Sequence, residues 1–217
     1  MTTVPMKNGS PEGTPGARYP AELVCDVTTP EGTTIHLRPI RPDDAPGLVR
    51  FHQGLSPQSI YRRFFSVHPK LSDAEVAWFT CVDYVNRLAL VAEDGGRLVA
   101  IGRYDKSPGS REAEVAFVVL DEYQHHGIGT LLLERLADAA WRNGVTTFVA
   151  STLADNRAMQ HVFATSGFKV TRVLDGGIVS FRFSIEPDDD YRAARAARAA
   201  RHASHQDDPP GPEAPPC

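Results

Sequence analysis

Apolar and polar residues alternate along Thr33-Thr34-Ile35-His36-Leu37-Arg38-Pro39-Ile40, and that two-residue period predicts a strand. Arg41-Pro42-Asp43-Asp44 then opens a helix. Ser56-Pro57 starts a second one, with Pro at a first helical position whose N–H is not needed. Ser72-Asp73-Ala74-Glu75 has the pattern of a capping box and predicts a third helix to about Thr80. Residues 87–92 and 97–104 read as two strands joined by a tight turn at Gly95-Gly96.

Residues 112–119 give a further strand. After a loop, Ile128, Leu131, Leu132, Leu136, Ala139 and Ala140 recur at helical spacing, and Asn143-Gly144 stops that helix. A strand over 147–151, a helix over 156–165 and a closing pair over 168–174 and 178–185 about Asp175-Gly176-Gly177 complete the chain's regular part. Early helices, antiparallel hairpins and one strand–helix–strand unit define an α+β class with a mixed sheet.

The 17 prolines gather at the ends, four in residues 1–20 and six in 187–217. Residues 1–22 therefore read as a disordered extension, and the domain proper as 23–186, about the size of one domain with one core. Beyond it, Asp188-Asp189-Asp190 precedes an Ala-rich run with arginines three apart, which predicts a helix. With no evident apolar face to dock, that helix reads as solvated and frayed or as a weak element for an anionic partner or self-association, ahead of a Pro-rich tail.

At 41% hydrophobic and 23% charged residues, with net charge −4, the 217-residue chain has the profile of a soluble domain. No apolar run approaches the roughly 18 residues of a bilayer crossing, and no signal layout opens the chain, so neither a membrane nor a secretory route is expected. Scattered, mildly acidic charge argues against a nucleic-acid partner. The three cysteines, Cys25, Cys81 and Cys217, are too few and too widely spaced for a disulfide framework or a thiolate zinc site, which fits a cytoplasmic setting.

Chemistry concentrates in Glu114 to Leu133, where a strand passes into a helix through Gln124-His125-His126-Gly127-Ile128-Gly129-Thr130. Gly127 and Gly129 let the backbone turn sharply and leave N–H groups at the positive end of a helix dipole, a site suited to phosphate. His125-His126 suggests a metal pair, but adjacent side chains seldom converge on one ion and these lie where phosphate is expected, so no metal is called for. Downstream lie Asp155-Asn156-Arg157-Ala158-Met159 and Ser166-Gly167-Phe168, at the distance of a second strand–helix unit.

In Gln124-x-x-Gly127-x-Gly129, the Asn156 segment and Gly167-Phe168 the chain resembles the GNAT superfamily of acyl-CoA-dependent N-acyltransferases, over roughly residues 33–186. Leu37-Arg38-Pro39-Ile40-Arg41-Pro42-Asp43-Asp44, Leu55-Ser56-Pro57-Gln58-Ser59-Ile60-Tyr61-Arg62-Arg63-Phe64-Phe65 and Val82-Asp83-Tyr84 narrow this to a likeness with the bacterial, actinobacterial-type protein-lysine acetyltransferases. The resemblance implies a mostly antiparallel sheet flanked by helices, with a splayed parallel strand pair forming the acyl-CoA cleft. Acetyl-CoA would run its pantetheine arm along Phe117, Val118 and Val119, set its pyrophosphate over Gln124, His125, His126, Gly127, Ile128, Gly129 and Thr130, and meet Asn156. Acceptors implied are lysines on partner proteins of the AMP-forming acyl-CoA synthetase type; a small amine, or CoA binding without turnover, are the other readings.

A lysine acceptor must lose a proton, since its pKa is about 10.4. The resemblance puts the base at Glu114, where alternation shares one face among Glu114, Ala116 and Val118, and partial burial is expected to raise its pKa toward working pH. Glu112 is the fallback. Phe163 stands where many relatives carry a tyrosine that protonates the leaving thiolate. Asp83 and Tyr84 either line the acceptor mouth or form an ordinary turn.

Overall fold

The computed structural model describes residues 18–29 and 32–206, so most of the N-terminal extension and the Pro-rich tail lie outside the described residues. The first half contains β1 (Cys25–Thr28), β2 (Thr34–Pro39), α1 (Ala45–Gln53), α2 (Pro57–Phe64), α3 (Asp73–Thr80), β3 (Arg87–Asp94) and β4 (Arg97–Lys106). The second contains β5 (Glu112–Val119), α4 (Ile128–Arg142), β6 (Thr147–Leu153), α5 (Arg157–Ala164), β7 (Val170–Asp175), β8 (Ile178–Ser184) and α6 (Asp189–Gln206). The strands form one eight-stranded sheet, ordered β1-β2-β3-β4-β5-β6-β8-β7, in which only β5 and β6 run parallel.

Local sequence signals account for most boundaries. Ser56 Oγ accepts from Ser59 N–H at 3.2 Å to cap α2, and Ser72 with Glu75 closes the predicted capping box on α3. Gly95 and Gly96 adopt φ of 55° and 83°, the pair of positive values a two-residue hairpin turn requires. At the junction of β2, α1 and β3, Arg38 donates to Asp44 at 2.8 and 2.6 Å and to Glu93 at 2.5 Å, tying the helix entry to two strands.

Helices cover both faces. Ile101, Arg103, Ala116 and Val118 face Phe51, Phe64 and Phe79 of α1, α2 and α3 across a small cavity. On the other face, Phe117 and Leu136 of α4 press against Gly102, and Phe163 of α5 lies 6.3 Å from Phe117. Among the described residues no helix is long and apolar enough to cross a membrane.

Two expectations need correction. β1 is an additional strand, paired antiparallel from Cys25↔Leu37 to Thr28↔Thr34. The Ala- and Arg-rich segment is helical, but it does have an apolar anchor: Tyr191 is 2% exposed and stacks on Phe168 at 4.4 Å and 11°. One aromatic ring, with arginines reaching acids on another helix, is enough to dock it.

Candidate active site

The parallel ladder between β5 and β6 has three rungs, Glu112↔Thr147, Ala113↔Phe148 and Glu114↔Val149, after which the strands part. Beyond the fork the edge of β5 that faces β6 has no strand partner among the described residues, although its other edge pairs with β4 as far as Val119↔Ala100. Backbone N–H and C=O groups left this way require other partners. An extended ligand carrying amides can supply them as an added strand would. The gap opens into a cleft of about 1380 Å³, whose lining includes Glu114 to Val119 on β5, Ala150 to Thr152 on β6, and both α4 and α5.

One end of this cleft is the turn before α4. Gly127 stands at the helix N-cap with φ 78° and brings no side-chain cap, and His125 is also left-handed at φ 69°. Leu131 N–H is bonded to Gly127 C=O at 3.1 Å, so the N–H groups of Ile128, Gly129 and Thr130 have no partner within the helix. The uncapped amino terminus of this 15-residue helix offers free donors and the positive end of a dipole, which suits an anion.

The turn is anchored to α2 by contacts the sequence did not signal. Asp121 accepts from Ser56 N–H at 3.0 Å, Ser56 Oγ at 2.8 Å and Ser59 Oγ at 2.8 Å. Burial pushes this carboxyl up, but those bonds outweigh it and hold the Asp121 pKa below its usual value. Gln124 adds the second tie, its Nε2 donating to Ser59 Oγ at 3.2 Å and to Val119 C=O at 3.1 Å. Gln124 is thus a brace between α2 and the end of β5.

Glu114 occupies the last rung, on the face covered by α1, α2 and α3. It is exposed at the cleft wall, not partly buried as expected, because the strand beside it leaves just past this residue. Directly opposite it on β4 is Asp105, which is ion-paired to Arg103. Arg63 of α2 lines the same cleft; burial lowers its pKa to about 10, with Arg103 pushing in the same direction and Glu114 and Asp105 opposing. Glu112 pairs with Arg182 and is absent from the cleft lining, so the fallback carboxylate sits outside the site.

Of the other expected residues, Phe117, Val118, Val119, His125, His126, Gly127, Ile128, Gly129 and Thr130 line the cleft together. Asn156 does too, but its Oδ1 accepts from Met159 N–H at 3.2 Å as the cap of α5, leaving the amide nitrogen as its group for a ligand. Phe163, also expected against the donor, is in the cleft lining too, but it is 1% exposed, packs on Phe181 and Phe183 at 4.9 and 5.5 Å and provides no hydroxyl.

Asp83 and Tyr84 do not line the cleft. Asp83 accepts from the N–H groups of Val85, Asn86 and Arg87 at 3.0, 2.8 and 2.8 Å, and Tyr84 donates to Ile40 C=O at 2.9 Å. They build the turn into β3, which is the ordinary reading of the two. Among the described residues no group of three His, Cys, Asp or Glu side chains could hold a metal ion.

A forked parallel pair with an uncapped helix start at its open end is the arrangement that the resemblance implied for an acyl-CoA cleft. A model of the Acetyltransferase (GNAT) family matches residues 56–168, and the chain belongs to that family. It is 34% identical over 161 residues to Acetyltransferase Pat of Mycolicibacterium smegmatis, an alignment covering 73% of this chain and 48% of that protein. Acetyltransferase PA5475 of Pseudomonas aeruginosa is 32% identical over 142 residues, 64% of this chain and 76% of the relative. The crystal structure of the GNAT domain of S. lividans PAT superposes with a TM-score of 0.73 at 38% identity, covering 77% of this chain and 99% of that domain. The chain thus spans about half the length of the mycobacterial relative.

Proposed function

We propose that this chain carries the acetyl group of acetyl-CoA directly to the ε-amine of a lysine on another protein, with an acyl-CoA synthetase as the expected target. The observation that supports it most is the fork: the cleft opens immediately after Glu114, so a donor bound against β5 ends beside that carboxylate. Likeness to Pat over most of the domain favours a protein acceptor.

In this reading the pantetheine amides take up the unpaired edge of β5, while the N–H groups at the start of α4 hold the diphosphate. Holding both ends of the donor fixes the thioester at the fork and converts a bimolecular encounter into an oriented one. Glu114, exposed and within reach of solvent, removes the proton from the incoming ammonium directly or through water. The free amine attacks the thioester carbonyl, the C–S bond breaks, and the nitrogen's second proton passes to water and from there to the thiolate or to bulk solvent, leaving the acetyl group as an amide on the lysine. Because Phe163 has no hydroxyl, the thiolate takes its proton from water or leaves as an anion. A cytoplasmic setting, expected from the sparse cysteines, is part of this reading.

The test is thiol release from acetyl-CoA with a purified acyl-CoA synthetase, followed by peptide mass spectrometry of its lysines. Acetylated lysine on the synthetase supports the reading. Turnover with small amines alone moves the acceptor to that class.

A further inference from the structure

The cleft lining extends past the glycine turn, between α4 and α5, to Arg195 and Arg198 of α6. Arg198 is a bridge. Its Nε donates to Glu134 of α4 at 2.6 Å, while Nη1 and Nη2 donate to the carbonyls of Thr165 and Ser166, just past the end of α5, at 2.8 and 3.0 Å. Arg195 adds a bond from Nη1 to Asp138 of α4 at 2.7 Å.

These contacts are held in place by close packing. Gly167 has φ 89°, and a Cβ there would lie 2.6 Å from Cβ of Ala194 and 3.2 Å from Cα of Tyr191, so only glycine lets α6 approach this far. Asp188 Oδ1 accepts from Tyr191 N–H at 3.0 Å at the helix start, next to the Tyr191–Phe168 stack. A planar guanidinium with three acceptors on two elements fixes their separation far better than a single ammonium can.

We propose that α6 is a wall of the donor cleft and that Arg198 is a positioning residue for the donor. By tying Glu134 to the carbonyls that follow α5, it sets the spacing of the two helices between which the donor's nucleotide end lies. This rests on the acetyl-CoA reading above and adds to it a part of the chain beyond the region matched by the family model. Glu134 is about 9 Å along the α4 axis from Ile128, so a change in helix spacing there reaches the diphosphate site within two turns.

The experiment is calorimetric titration of acetyl-CoA into the full chain and its Arg198→Ala, Arg198→Lys and Glu134→Gln variants, with steady-state rates measured alongside. The expected result for Arg198→Ala is a dissociation constant raised about tenfold, with kcat at saturating donor and acceptor KM within about twofold of wild type. Arg198→Lys falls between, since an ammonium cannot serve all three acceptors. Glu134→Gln, which keeps the side-chain shape, weakens donor binding in the same direction and carries the test if Arg198→Ala does not fold. A folded Arg198→Ala, or failing that a folded Glu134→Gln, that binds acetyl-CoA as wild type does, or loses kcat as much as affinity, overturns the inference. A wild-type chain that takes up no acetyl-CoA instead overturns the donor reading, and this inference with it.

Discussion

Glu114 and Val149 form the last rung of the parallel ladder between β5 and β6. The candidate base is therefore fixed by sheet hydrogen bonds on one side of its own residue and faces open cleft on the other. Glu114→Gln preserves shape and pairing while removing the proton acceptor. It is expected to lower kcat by about two orders of magnitude with donor affinity unchanged, read by steady-state kinetics beside calorimetry. Equal losses in both would assign Glu114 to binding.

Gly129 separates folding from function. A Cβ there would make only an ordinary 3.5 Å contact with Val162, and alanine favours a helix over glycine. Gly129→Ala should leave the melting temperature unchanged or raised, yet weaken acetyl-CoA binding by about tenfold, because the added methyl stands among the N–H groups of the anion site. A variant that binds normally removes the diphosphate from this turn.

The turn at Asp83 carries an acid-stability signature. Burial raises its carboxyl, but the N–H of Arg87 and the Asn86 side chain outweigh burial and pull the pKa below the usual aspartate value. Since the folded value lies below the unfolded one, the contribution is full above about pH 4 and fades as pH falls through the folded value. Asp83→Asn should cost about 1–3 kcal/mol near neutrality and flatten the stability profile below about pH 4, with donor affinity unaltered. Denaturant titrations across that range measure both.

Thr152 is 2% exposed on β6, and its Oγ1 has no hydrogen-bond partner among the described residues. Thr152→Val keeps the branched shape and removes a buried hydroxyl that is unsatisfied. A gain of about 1 kcal/mol, or about 2–4 °C in melting temperature, is expected by calorimetric scanning. A loss of stability would mean that the hydroxyl has a partner.

Where structure followed from neighbouring residues, the sequence was a sufficient guide. Caps at Ser56 and Ser72, the Gly95-Gly96 turn and the glycine-started α4 are each set by a few adjacent side chains, and all formed as expected. β1 is not legible in the sequence because Cys25–Thr28 alternates over only four residues at a sheet edge, none of them buried, too short a run to mark a strand. Nor is the docking of α6, because Arg195 and Arg198 find their acids 57 and 64 residues away, which periodicity within the helix cannot reveal. In the site, the strand fork and the glycine turn that starts α4 without a side-chain cap were legible through motif and resemblance. The exposure of Glu114 and the commitment of Asp83 to a turn depend on which strands and N–H groups surround them in space.

The most direct test of the account is a single titration of acetyl-CoA into the wild-type chain and Glu114→Gln, followed by mass analysis of an acyl-CoA synthetase incubated with each. Equal donor binding by both proteins, with acetyl-lysine formed only by the wild type at any appreciable rate, is the predicted result. Absence of donor binding, or undiminished lysine acetylation by the variant, would contradict it.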